Sequence, residues 1–190
     1  LMGTLYGGFR ATMINVVAGQ EAISYALDHS ESRFAFVGDS QMEMFEGASD
    51  GRIARLDPTG TGQAGLHPVN PGDHALLMYT SGTTGNPKGV MLTHGQIIHT
   101  ARAFGQTGMG PRPDRALAVI PLSHMYGQTL PLLMGFMGGS TLVFLHSLSP
   151  KAMRATMQRE RVTAVTLTPH PLGNLLRSFE TEARRQGREE

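Results

Sequence analysis

The chain has 190 residues, 16 basic and 15 acidic side chains, and 40% hydrophobic residues. That length permits a sizeable core, and a formal net charge of +1 gives no electrostatic case for nucleic acid or an anionic membrane as partner. The absence of cysteine excludes a disulfide framework and a Cys-based metal site and fits a cytoplasmic protein; the first residues also lack the basic region and cleavage pattern of a signal peptide.

In chain order, residues 13–17 read as a strand and residues 20–29 as a helix, with Ile23, Ala26 and Leu27 spaced for a core-facing stripe. Residues 33–37 read as a strand ending at Gly38-Asp39. The polar, Gly-rich stretch 47–74 reads as a loop or short hairpin. Inside it, Gly60-Thr61-Gly62-Gln63-Ala64-Gly65 matches a dinucleotide fingerprint by pattern. That fingerprint needs a strand before it and a helix after it, and the flanking Pro58, Pro68 and Pro71 argue instead for a surface loop. Residues 75–79 and 89–92 are apolar runs of buried-strand type.

Beyond them strands and helices alternate. Residues 95–104 read as a helix with Thr93 as N-cap, 116–120 as a strand, and 127–136 as a helix ended by Gly138-Gly139. Residues 141–145 read as a strand. Ser149 caps a helix with Pro150 at its first position, running to 159. Residues 162–167 read as a strand and 172–186 as a final helix. This alternation predicts an α/β fold with a mainly parallel sheet and flanking helices. Residues 116–150 contain no Asp, Glu, Lys or Arg, but Pro121, His124, Gln128, Pro131 and Gly138-Gly139 interrupt the run of about 20 apolar residues that a membrane span requires. The eight histidines show no metal-binding spacing, and the 12 methionines form no single stripe and read as core filling.

One segment carries chemistry. Residues 79–94 read Tyr-Thr-Ser-Gly-Thr-Thr-Gly-Asn-Pro-Lys-Gly-Val-Met-Leu-Thr-His. Glycines let backbone N–H groups approach a ligand, successive N–H groups form a concave anion site, hydroxyls add donors and Lys88 adds a cation. Such a set suits a polyphosphate. A Walker A loop would carry glycine at 87 and Ser or Thr at 89; Pro87 and Gly89 stand there instead.

Residues 80–90 resemble the signature loop of the AMP-forming adenylating enzymes, a superfamily that includes the acyl- and aryl-CoA synthetases, the adenylation domains of peptide synthetases, and luciferases. Pro121-Leu122-Ser123-His124-Met125-Tyr126-Gly127 resembles the family's next motif, and residues 1–10 resemble the end of one of its helices. The resemblance implies that this chain is part of the large domain of an acyl-adenylate-forming enzyme. A carboxylate would attack the α-phosphate of ATP, and the acyl group would then pass to a thiol, usually coenzyme A. Thr80, Ser81, Gly82, Thr83, Thr84, Gly85 and Lys88 would hold the ATP phosphates, with Thr80 a candidate contact of Mg²⁺-ATP. Lys88 and His124 would be the catalytic residues, His124 lying near the acyl pocket and the α-phosphate.

The resemblance further implies an organisation of strand–helix units over 1–46, a loop over 47–74 and a phosphate-loop α/β unit over 75–190. The family's later Tyr-Gly-x-Thr-Glu and Thr-Gly-Asp segments do not occur in these 190 residues. The chain by itself is therefore expected to be incomplete as an enzyme and to lack the small C-terminal lid domain. Expected partners are a fatty or aryl carboxylic acid and, through exposed apolar edges, a second copy of the chain. Two other readings stay open: a catalytically silent nucleotide- or partner-binding fragment, and a peptide-synthetase adenylation domain.

Overall fold

A computed structural model describes residues 1–57, 59–60, 62, 65–80, 86–106, 115–185 and 187, without the side chains of Leu130, Pro131 and Met134. The chain divides into two compact units, Leu1–Ile97 and Ile98–Glu190.

The first unit opens with helix α1 (Met2–Tyr6), strand β1 (Ala11–Thr12) and a 3₁₀ turn (Val16–Ala18). The strand expected over 13–17 thus falls earlier and is shorter. Asn15 Oδ1 accepts from the Val17 N–H at 3.1 Å, a local bond that starts the turn and competes with strand pairing. Helix α2 (Gln20–His29) occupies the predicted residues and buries Ile23, Ala26 and Leu27. Strand β2 (Phe34–Phe36) follows, then a 3₁₀ turn (Asp39–Gln41), helix α3 (Met42–Ser49) and strand β3 (Ala54–Leu56).

The loop expected over 47–74 therefore holds a helix end and a strand. Gly47 lies inside α3 rather than in a loop, and Gln20 Nε2 donates to its carbonyl at 2.9 Å. α3 ends at Asp50, which takes a left-handed conformation (φ 50°). The chain returns to pair β3 parallel with β2, so the unit is β-α-β and not a hairpin. Ile23, Leu27, Ala48 and Ile53 form its core, with Ala35 and Phe45 packed against it. Part of the 60–65 glycine pattern lies outside the described residues.

β4 (His74–Thr80) lies between β1 and β5 (Lys88–Thr93), parallel to the first and antiparallel to the second. Ala75, Leu76, Leu77 and Met78 are all buried, as expected of a strand covered on both faces. Helix α4 (His94–Gln106) follows β5 directly. Thr93 caps it as predicted: its Oγ1 accepts from the Gln96 N–H at 3.2 Å, while Gln96 Oε1 accepts from the Thr93 N–H at 2.9 Å. This is a reciprocal capping box.

The second unit holds a three-stranded parallel sheet in the order β7-β6-β8, formed by β6 (Arg115–Ala118), β7 (Thr141–Phe144) and β8 (Ala164–Val165). Between β6 and β7 runs one helical stretch: α5 (Met125–Gly127), a π-helical segment (Gln128–Met134) and α6 (Gly135–Gly138). The regular helix expected over 127–136 is thus widened by a π segment, a distortion that occurs often at functional sites. Gly139 (φ 67°) ends it where predicted.

α7 (Pro150–Arg159) connects β7 to β8, and α8 (Pro169–Arg185) ends the unit. Ser149 occupies the N-cap of α7 with Pro150 behind it, but its side chain makes no capping bond; the cap acts through the backbone, the Ser149 carbonyl accepting from the Met153 N–H at 2.9 Å. Leu117, Val119, Met153 and Leu175 form the core, with Val162 and Leu167 packed against it. Those two residues flank β8 without pairing, which shortens the strand expected over 162–167. No helix among the described residues is long and apolar enough to cross a membrane.

Candidate functional site

The β4–β5 hairpin brings the two ends of the expected phosphate loop together. Met78 pairs with Val90, Tyr79 with Gly89 and Thr80 with Lys88. Directly opposed residues of an antiparallel pair share a face, so the side chains of Thr80 and Lys88 leave the hairpin on the same side at its mouth. Both residues are exposed. No carboxylate among the described residues forms an ion pair with Lys88. A cation and a hydroxyl at the open end of a rigid hairpin can receive an anion. Ser81, Gly82, Thr83, Thr84 and Gly85, the remaining predicted phosphate contacts, lie outside the described residues.

At the base of this mouth stands a cluster that the sequence reading did not single out. Tyr79 Oη lies 3.2 Å from the Ala26 carbonyl and 2.9 Å from His29 Nδ1. Tyr25 stacks on His29 with ring centroids 5.4 Å apart, and both rings meet Tyr79 edge-on. Burial, reinforced by the neighbouring Tyr25, pushes the Tyr79 phenol above its ordinary pKa. The one signal available in the sequence was the i, i+4 spacing of Tyr25 and His29 on a predicted helix; their partner lies 50 residues along the chain from His29.

His124 belongs to the second unit, where the chain leaves β6. Its N–H donates to the Pro121 carbonyl at 3.0 Å, and its own carbonyl accepts from the Gln128 N–H at 3.2 Å. It is the N-cap of α5: Nδ1 accepts from the Tyr126 N–H at 3.1 Å. A backbone N–H only donates, so Nδ1 carries no proton and the neutral ring holds its proton on Nε2. His124 is exposed, and Nε2–H is then a donor for an incoming oxygen. Two residues hold this turn. Gln128 is fully buried, and its Nε2 donates to the Leu122 carbonyl at 2.5 Å. Gly127 packs so closely that a Cβ would stand 2.4 Å from the Pro121 carbonyl oxygen and 2.7 Å from that of Ile120. Among the described residues no group of three or more His, Asp or Glu could hold a metal ion.

In sequence, the chain is 29% identical to the sulfoacetate–CoA ligase of Cupriavidus necator, over 93% of its own length and 38% of the relative's. It is 31% identical to a feruloyl-CoA synthase of an Amycolatopsis species, over 82% of its own length and 33% of the relative's. It thus spans about a third of the length of these curated relatives. In structure it is similar to the O-succinylbenzoate coenzyme A synthetase of Bacillus subtilis solved in complex with AMP, with a TM-score of 0.78 and 25% identity, covering 92% of this chain and 46% of that one. The described elements therefore have the fold of the large domain of adenylating enzymes, an α/β fold rich in parallel strands. A model of the AMP-binding enzyme family matches residues 1–188, and the chain belongs to that family.

Proposed function

We propose that the protein takes part in ATP-dependent activation of a carboxylic acid and its transfer to coenzyme A. The observation that carries this reading is the exposed Thr80–Lys88 pair closing the signature loop in a chain of the AMP-binding family. In the first step a carboxylate oxygen bonds to the α-phosphorus of ATP and pyrophosphate leaves. In the second the thiol sulfur bonds to the acyl carbon, AMP leaves with the former carboxylate oxygen, and the thiol gives up its proton.

The transition state of the first step gathers charge on phosphate oxygens, where fixed donors and cations act most strongly. Lys88, Thr80 and the loop residues Ser81, Gly82, Thr83, Thr84 and Gly85 hold the phosphates. Thr80 would be the residue that holds a Mg²⁺ ion bound to the nucleotide phosphates, and such an ion would supply further positive charge there. His124 donates from Nε2 to an α-phosphate or carboxylate oxygen. The named relatives act on sulfoacetate and ferulate, which favours an aryl or short acidic substrate over a long aliphatic one. A cytoplasmic site of action fits a chain without cysteine.

The test is carboxylate-dependent ATP–pyrophosphate exchange with aryl, short and fatty acids. Exchange with an aryl or short acid, lost in Lys88→Ala, is the expected result; unchanged exchange in Lys88→Ala overturns the assignment of Lys88. The second reading, a catalytically silent binding module that pairs with a partner or a second copy, is favoured by one observation. Phe34 and Phe36 are 55% and 58% exposed on one face of β2. Absence of exchange from a folded protein that self-associates would support it.

A further inference from the structure

We propose that His29 is a positioning residue for Thr80 at the end of β4, acting through Tyr79; the proposal rests on the ATP-binding reading of the hairpin. The chemistry of the three atoms sets the direction of the bonds. The Ala26 carbonyl only accepts, so Tyr79 Oη gives it its proton across 3.2 Å. The same oxygen then accepts from His29 Nδ1 at 2.9 Å, which places a proton on that nitrogen. Tyr79, the residue directly before Thr80, is tied by its tip to two points on the last turns of α2.

The clasp is held from three sides. Stacking of Tyr25 against His29, at an interplanar angle of 26°, fixes the plane of the imidazole. Opposite Tyr79 stands Gly89, where a Cβ would lie 3.2 Å from His29 Cε1 and 3.1 Å from Leu77 Cδ1; a side chain there would press on the imidazole and shift it by a few tenths of an ångström. Arg10 Nη2 donates to the Ser30 carbonyl at 2.7 Å, tying down the residue that follows His29. His29 itself is exposed and belongs to neither core cluster. Its hydrogen bond therefore adds little to global stability, yet it immobilises a strand end at the point where the ligand-holding residues begin. A site held in its bound geometry before the ligand arrives loses less entropy on binding.

The experiment is calorimetric titration of ATP into the protein and its Lys88→Ala, His29→Ala, His29→Asn and Tyr79→Phe variants, with a urea unfolding curve for each. The expected result is that His29→Ala weakens ATP binding about three- to tenfold, the scale of one lost hydrogen bond, with its urea midpoint unchanged. His29→Asn, which places an N–H where Nδ1–H stood, regains most of that affinity. Tyr79→Phe, which also loses the Ala26 bond, weakens binding at least as much as His29→Ala, and the double variant is no weaker than Tyr79→Phe, because His29 acts only through that phenol. Wild-type affinity in His29→Ala alongside weakened binding in Lys88→Ala overturns the proposal and leaves the hairpin reading standing. Parallel losses of affinity and urea midpoint that His29→Asn does not restore also overturn it, by making His29 merely structural. No binding of ATP by the folded wild-type protein removes the reading of the hairpin and this proposal with it.

Discussion

Replacing Gly127 with alanine adds one methyl group where the structure has no room. The new Cβ would lie 2.4 Å from the Pro121 carbonyl oxygen and 2.7 Å from that of Ile120. Both are backbone atoms at the end of the β6 segment, so no side chain can swing aside. Reaching even 3.0 Å requires the backbone to move by about 0.6 Å. Overpacking of this kind costs roughly 1–3 kcal/mol. The Pro121 oxygen also accepts from His124 N–H at 3.0 Å, and disturbing that bond adds about 1 kcal/mol. The expected destabilisation is about 2–4 kcal/mol. Gly173→Ala in α8 is the matched control. Its nearest neighbour would be Arg177 Nη1 at 3.7 Å, an ordinary contact, and alanine exceeds glycine inside a helix by up to about 1 kcal/mol. Urea unfolding of both variants measures the difference. With a slope of about 1–3 kcal/mol per molar urea, the midpoint falls by about 0.7 M or more for Gly127→Ala and rises for Gly173→Ala. Equal midpoints, or a rise for both, would refute the packing argument for the His124 turn.

Thr93→Ala breaks the capping box of α4 and should cost about 0.5–2 kcal/mol in urea unfolding, with Thr93→Ser close to wild type. Met153 has no exposed surface, and Met153→Ala should cost about 2–5 kcal/mol; a smaller loss would mean that the α7–β6 core collapses readily around the cavity. Because burial raises the Tyr79 pKa, the folded protein holds that proton more tightly than the unfolded chain does. Its contribution to stability is complete below the unfolded value of about 10 and is lost as pH rises through the folded value. Ultraviolet titration of the four tyrosines should show one late phenolate component, absent from Tyr79→Phe.

Elements specified by local chemistry were legible in the sequence. Helix α2 followed from its apolar stripe, β4 from its apolar run, and the Thr93 cap from a hydroxyl beside a helix start. α7 was bounded correctly by Ser149 and Pro150, although the hydroxyl makes no cap. Features that depend on distant partners were not legible. Gly47 read as a loop residue although it lies inside α3, where its carbonyl accepts from Gln20, 27 residues away. The parallel pairing of β3 with β2 depends on α3 folding back between them, and the π segment leaves the apolar spacing of a normal helix almost unchanged. Among the candidate site residues, motif and chemistry singled out Thr80 and Lys88, which the structure pairs across the β4–β5 hairpin, and His124, which it places as the N-cap of α5. The tautomer of His124 required the Tyr126 N–H, and the part proposed for His29 required Tyr79.

The fit of Gly89 beneath the His29 ring also bears on how the chain tolerates insertions. A slip of β5 by one residue would present its opposite face, and a slip by two would bring Pro87 or Met91 into the place of glycine. Either side chain would have to push the His29 ring and Leu77 aside. The observed alignment of β5 against β4 is therefore favoured over its neighbours, and an added or deleted residue between Thr80 and Lys88 is costly to absorb by sliding the strands. A change in that span falls first on the segment that would meet the phosphates.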